Sequence, residues 1–140
     1  MLTALSKQLR RLTTRVRSRR EGRTGTTYTV VPSLEGLHLS WLTLENETGS
    51  VSLCWPEVRE VVAFKRDLYA VDLICLTFGL ASGRAVELHE EMHGWQAVLE
   101  GLPQYLPGSK PFPEWFHEVA VPAFAPNPTF VFRRSQEVAV

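Results

Sequence analysis

From residue 27 to residue 88 the chain is written in short apolar–polar alternations punctuated by turn residues, the pattern of half-buried strands. Thr27 to Val31 is rich in Thr, Tyr and Val and stops at Pro32-Ser33. Gly36 to Leu44 alternates Leu37, Leu39 and Trp41 with polar neighbours, and Glu45-Asn46-Glu47-Thr48-Gly49 reads as a turn. Val51, Leu53 and Trp55 alternate again until Pro56 ends the strand. Val58, Val61, Val62 and Phe64 lead to the charged Lys65-Arg66-Asp67, and Asp72 to Leu80 is an almost continuous apolar, β-rich run that predicts a buried central strand. Ala81-Ser82-Gly83-Arg84 supplies hairpin chemistry, and Ala85 to Leu88 returns with Val86 and Leu88 inward. These are six strands on short connections, which favour antiparallel pairing.

The period then changes. Trp95, Val98, Leu99, Leu102 and Leu106 recur at three to four, predicting an amphipathic helix after Gly94 that is interrupted at Pro103. Pro111-Phe112-Pro113 reads as a rigid connector. Glu114 to Val121 predicts a short helix with Trp115, Phe116 and Val119 facing the core, and Thr129 to Arg133 a last short strand. The expected fold is α+β: a mostly antiparallel bent sheet or partial barrel of about six strands, closed by one main helix, with the short helix and final strand added.

Charge divides the chain. The total balances at 15 basic against 15 acidic residues, yet the first 23 residues hold eight basic side chains and only Glu21, a net +7 that leaves −7 for the rest. In that basic stretch Leu2, Leu5, Leu9, Leu12 and Val16 repeat at three and four, so residues 3 to 18 predict a basic amphipathic helix with Arg10, Arg11 and Arg15 off the apolar stripe. Such a helix can dock on a protein partner, lie on an anionic membrane surface, or pack on the chain's own body or a second copy. No aromatic residue interleaves with the arginines, so base stacking is not expected and nucleic acid is set aside as a partner. The acid-poor start also resembles an organelle transit peptide, while the apolar core of a secretory signal is missing. Residues 21 to 27 read as a linker, which divides the chain into a basic segment, 1–23, and one globular domain, 24–140. Cys54 and Cys75 sit in apolar, strand-like runs and read as buried, reduced thiols of a cytoplasmic protein.

One motif carries catalytic chemistry. His89-Glu90-Glu91-Met92-His93 matches H-E-x-x-H, in which two histidines one helical turn apart bind zinc and the glutamate activates water. It makes a zinc hydrolase the enzymatic alternative, with His89 and His93 as ligands, Glu90 as base, and Glu114, His117 or Glu118 as sources of a third ligand. The chemistry requires a helix, whereas here the motif follows a strand-like run and is closed by Gly94. The other use of these residues is structural, a strand end whose acidic loop precedes the next helix and favours its dipole. Lys65, Arg66, Asp67 and Asp72 flank a turn whose tip carries Leu68 and Tyr69; the opposite charges read first as a solvated, salt-linked turn, and the tip is also the body's candidate recognition surface.

The order Leu53-Cys54-Trp55-Pro56-Glu57-Val58, Ala63-Phe64-Lys65-Arg66-Asp67, Asp72-Leu73-Ile74-Cys75-Leu76, Gly83 and Gly94-Trp95 ahead of a helix resembles a small bacterial family of pleckstrin-homology-like proteins, over about residues 27 to 106. That resemblance implies binding of proteins, peptides or headgroups rather than catalysis, without a cofactor. The loop Pro32-Ser33-Leu34-Glu35-Gly36 has no basic residue for a phosphoinositide. The function expected from the sequence is a non-enzymatic interaction module, with the basic helix as docking or dimerisation element. A small acidic immunity-type inhibitor is a further alternative by analogy.

Overall fold

Two successive hairpins build the first layer. A computed structural model describes residues 25–67, 72–122 and 126–135 of the chain. The helix expected over residues 3 to 18, with Arg10, Arg11 and Arg15, lies outside the described residues, as do Leu68 and Tyr69. Strands β1 (Thr27–Pro32), β2 (Gly36–Leu42) and β3 (Thr48–Cys54) pair antiparallel in that order. Val30 opposite Leu39 and Leu37 opposite Leu53 place these four side chains on one buried face. The intervening positions Thr29, Ser40, Ser50 and Ser52 take the other side, as period-two alternation requires. Ser33 closes the first turn, its hydroxyl accepting from the amides of Glu35 and Gly36, both at 3.3 Å.

At Pro56 the chain leaves this sheet through a 3-10 turn, Trp55–Glu57, with the Trp55 indole donating to the Ser33 carbonyl at 2.7 Å. It then enters a second antiparallel sheet made of β4 (Val58–Asp67), β5 (Asp72–Leu80), β6 (Ala85–His89) and β7 (Thr129–Arg133), in the order β6-β5-β4-β7. Helices α1 (Trp95–Tyr105) and α2 (Phe112–Ala120) follow β6. The main core gathers the inward side chains of both sheets with Trp95, Val98, Leu99 and Leu102 of α1 and Trp115 and Val119 of α2.

The single bent sheet or partial barrel of about six strands is therefore corrected: among the described residues, seven strands are divided between a three-stranded and a four-stranded sheet, with two helices. The division falls at Trp55-Pro56-Glu57. Proline has no amide to donate to a ladder, and the buried Trp55 ring, stacked on Tyr105 at 5.1 Å, occupies the interior where a continuous strand would have run on. Smaller differences have similar causes. Helix α1 runs through Pro103 to Tyr105, and α2 begins at Phe112 because Pro113 suits a first helical turn. Phe116 is 38% exposed instead of core-facing. Cys54 is exposed on the outermost strand of the first sheet, whereas Cys75 is buried, and both are free thiols.

Candidate functional site

The sequence motif at 89–93 begins on the last residue of β6 and continues through a turn, not a helix. The Glu90 amide donates to the Ile74 carbonyl and the Glu90 carboxylate accepts from the Ile74 amide, each at 3.0 Å, which fastens the turn to β5. His89 is buried, its ring edge-on to Tyr28 at 5.7 Å and its Nδ1 accepting from the Glu91 amide. The His93 backbone crosses to the first sheet: its amide donates to Tyr28 at 3.0 Å and its carbonyl accepts from Val30 at 2.8 Å. These residues form a clip between the two sheets, completed by Gly94 as the N-cap of α1.

The i, i+4 stacking of imidazoles that a shared zinc needs exists only on a helix, and this backbone does not provide it. Among the described residues no three His, Cys, Asp or Glu side chains converge as a metal-binding group, Glu114, His117 and Glu118 of α2 included. Nor do Glu90 and Glu91 cap α1, which has no acidic residue in its first turn. Protein purified without added metal is expected to show no stoichiometric zinc on elemental analysis. One equivalent of zinc that disappears in His93→Ala would reinstate the hydrolase.

The charged cluster Lys65-Arg66 is drawn inward by the length of β4. Lys65 is only 3% exposed. Its ammonium donates to the carbonyls of Ala120 at 2.6 Å and Pro122 at 2.5 Å, and lies 3.4 Å from a carboxylate oxygen of Asp72. A helix C-terminus leaves carbonyls without intrahelical donors and is the negative end of its dipole, so this cation closes α2 from outside its own sequence. The Asn127 side-chain amide helps, donating to Val119 at 3.1 Å and Pro122 at 3.0 Å. Arg66 points to the opposite face, pairs with the buried Glu87 of β6 and lies over the Phe64 ring at 5.3 Å. Asp67 is the last residue of β4. Lys65 and Arg66 thus join strands and helix.

Glu87 and Asn127 escaped the sequence reading. Glu87 occupies the polar position of an alternating strand, which looks solvent-facing unless the sheet's second face is covered. Asn127 lies in a Pro-rich connector whose partner in α2, Val119, is eight residues upstream.

Outside the core, Thr27, Thr29, Ser40, Thr48 and Ser50 with the indole of Trp41 line an open cleft of ≈ 690 Å³ at one end of the first sheet. It offers hydroxyls and an aromatic face for hydrogen bonding and stacking, and its lining has no titratable side chain to transfer a proton. Among the described residues, no helix is long and apolar enough to cross a membrane. No family model, curated protein or solved structure matches the chain.

Proposed function

We propose that the protein is a non-enzymatic, cytoplasmic interaction module whose basic N-terminal segment docks it on an anionic surface of a protein partner or a membrane. The observation that carries this reading is the division of a neutral chain into +7 over residues 1–23 and −7 over the remainder. A large single-sign field steers association with the opposite charge and supplies affinity in proportion to the cations engaged. Two features of the body agree with it. His89, Glu90, Lys65 and Arg66, from the sequence motif and the charged cluster, are bonded into the joints between strands and helices, and the cleft is neutral.

The test is charge reversal in the intact chain. Arg10→Glu, Arg11→Glu and Arg15→Glu together are expected to weaken sedimentation with phosphatidylserine-containing vesicles by about 100-fold or more at low salt, taking about 1 kcal/mol for each cation lost. Light scattering on the same samples reads self-association. If the native protein's vesicle binding and its oligomeric state are both unchanged by the three substitutions, the docking role is wrong.

A further inference from the structure

The three-stranded sheet ends in an open edge at β3. At the hairpin the Thr43 amide donates to the Glu47 carbonyl at 2.9 Å, and at the far end the Trp55 amide donates to the Glu35 carbonyl at 3.1 Å. In the antiparallel alternation between those points, Glu47, Gly49, Val51, Leu53 and Trp55 turn their backbone groups toward β2, and Thr48, Ser50, Ser52 and Cys54 turn theirs away. The Ser52 carbonyl shows this direction, because it accepts from the exposed Arg84 guanidinium at 3.2 Å. Among the described residues no other group bonds to the outward amides and carbonyls, and all four residues are exposed. The edges of β1 and β7 differ. His93 bonds to Tyr28 and Val30 of β1, Pro32 ends that strand, and Lys110 donates to the Val131 carbonyl of β7. Sheet edges are commonly blunted by charge, proline or a bulge. Thr48-Gly49-Ser50-Val51-Ser52-Leu53-Cys54 carries no charge and no proline, and it pairs with β2 residue for residue.

We propose that β3 is a self-association edge, at which two copies of the chain pair antiparallel about a two-fold axis at Val51 and join their three-stranded sheets into one. That centre lays the strand along its own length, with Ser50 opposite Ser52 of the second copy and Thr48 opposite Cys54 of the second copy. The outward groups of the four residues then form about eight hydrogen bonds across the axis. Two observations select a second copy as the occupant. The outward side chains are small and uncharged, so identical strands meet without a like-charge penalty. The edge is also electrically polar: Glu45 and Glu47 lie at its start and Arg84 stands over Ser52 toward its end. Glu57 follows the turn by which the chain has already left this sheet. Antiparallel pairing brings the acidic turn of each copy toward Arg84 of the other, twice by symmetry, whereas parallel pairing sets acid beside acid. Apolar area is added by Trp41, whose ring lies across Gly49, where a Cβ would meet it at 2.3 Å, and so reaches the rim that a paired strand covers. The proposal goes beyond the docking role and uses no residue of the basic segment.

One strand edge is smaller than the roughly 800 Å² per partner of a standard interface, so the dimer is expected to dissociate on dilution. Sedimentation velocity of the full chain between about 1 µM and about 200 µM is expected to show a reversible monomer–dimer equilibrium. A monomer throughout overturns the proposal. Ser50→Pro removes an amide that β2 does not use. It is expected to weaken the dimer at least about 100-fold, since two hydrogen bonds and their acceptors are lost per dimer, while the near-ultraviolet signal of the tryptophans persists. Unchanged association in that folded variant overturns the pairing. Thr48→Cys decides even if the proline variant unfolds. Facing hydrogen-bonded residues have Cα atoms about 5.5 Å apart, within disulfide range, so oxidised glutathione is expected to link the introduced thiol to the exposed Cys54 of the second copy. In the native chain the two Cys54 thiols stand about 20 Å apart along the paired strands, and no covalent dimer is expected on a non-reducing gel. Absence of the covalent dimer in Thr48→Cys, or its equal formation by the native chain, overturns the pairing. A dimer lost in the Arg10→Glu, Arg11→Glu, Arg15→Glu variant but kept in Ser50→Pro would place the interface on the basic segment and overturn it as well.

Discussion

Lys65→Met is expected to destabilise the fold by about 3–5 kcal/mol, the cost of breaking a buried ionic contact by removing one partner. Methionine keeps the length and apolar stem of the side chain, so little cavity is created and the loss reports the ammonium itself. That group serves the Ala120 and Pro122 carbonyls and faces Asp72 while only 3% exposed. Without it the half-buried Asp72 carboxylate loses this cation, and the end of α2 loses its donor. Equilibrium urea unfolding measures the change. Adding Asp72→Asn to Lys65→Met should cost much less than the same change in the native protein, since the two residues share one interaction. A loss under about 1 kcal/mol for Lys65→Met would place the ammonium in contact with water, contrary to the geometry.

Gly94→Ala is the second large effect, at about 3 kcal/mol or more, because it combines an unfavourable backbone conformation with a hard clash. Gly94 has φ +96°, and a Cβ there would lie 1.9 Å from the Val30 carbonyl oxygen. Val30 belongs to the clip, its amide donating to His93, so relief of the clash separates β1 from the start of α1. Gly83→Ala is the matched control. Its φ is +87°, but a Cβ there meets nothing within 4 Å, and the expected cost falls to about 1 kcal/mol of conformational preference. Thermal unfolding of the two variants side by side separates clash from conformation. Equal losses would mean that the sheets are not joined at Val30 and His93.

Much of the element order was legible because local forces decide it. The alternation in Val51-Ser52-Leu53, the apolar run from Leu73 to Leu80 and the three-to-four repeat from Trp95 to Leu102 each carry the period of the structure they adopt. The candidate site was far less legible. H-E-x-x-H is a string of five letters, and whether it binds a metal depends on the backbone that carries it. Here β6 extends to His89, and its end is held by pairing with Ile74 and Tyr28, partners 16 and 65 residues away from Glu90 and His93. Lys65 and Arg66 looked like turn residues because charge normally marks solvent. Their burial depends on acceptors supplied by α2 and β6, which no local window contains.

By itself the sequence determined where strands follow one another along the chain, the helical period after Gly94 and the separation of a +7 segment from a −7 body. All of these follow from side-chain periodicity and composition. Only the tertiary structure decided that the strands divide into two sheets at Pro56, that the His89 to His93 stretch is a clip, and that Lys65 caps a helix 55 residues further along the chain. Those outcomes come from desolvation. A buried polar group must find a partner wherever the fold can bring one, and sequence distance places no limit on where that partner lies.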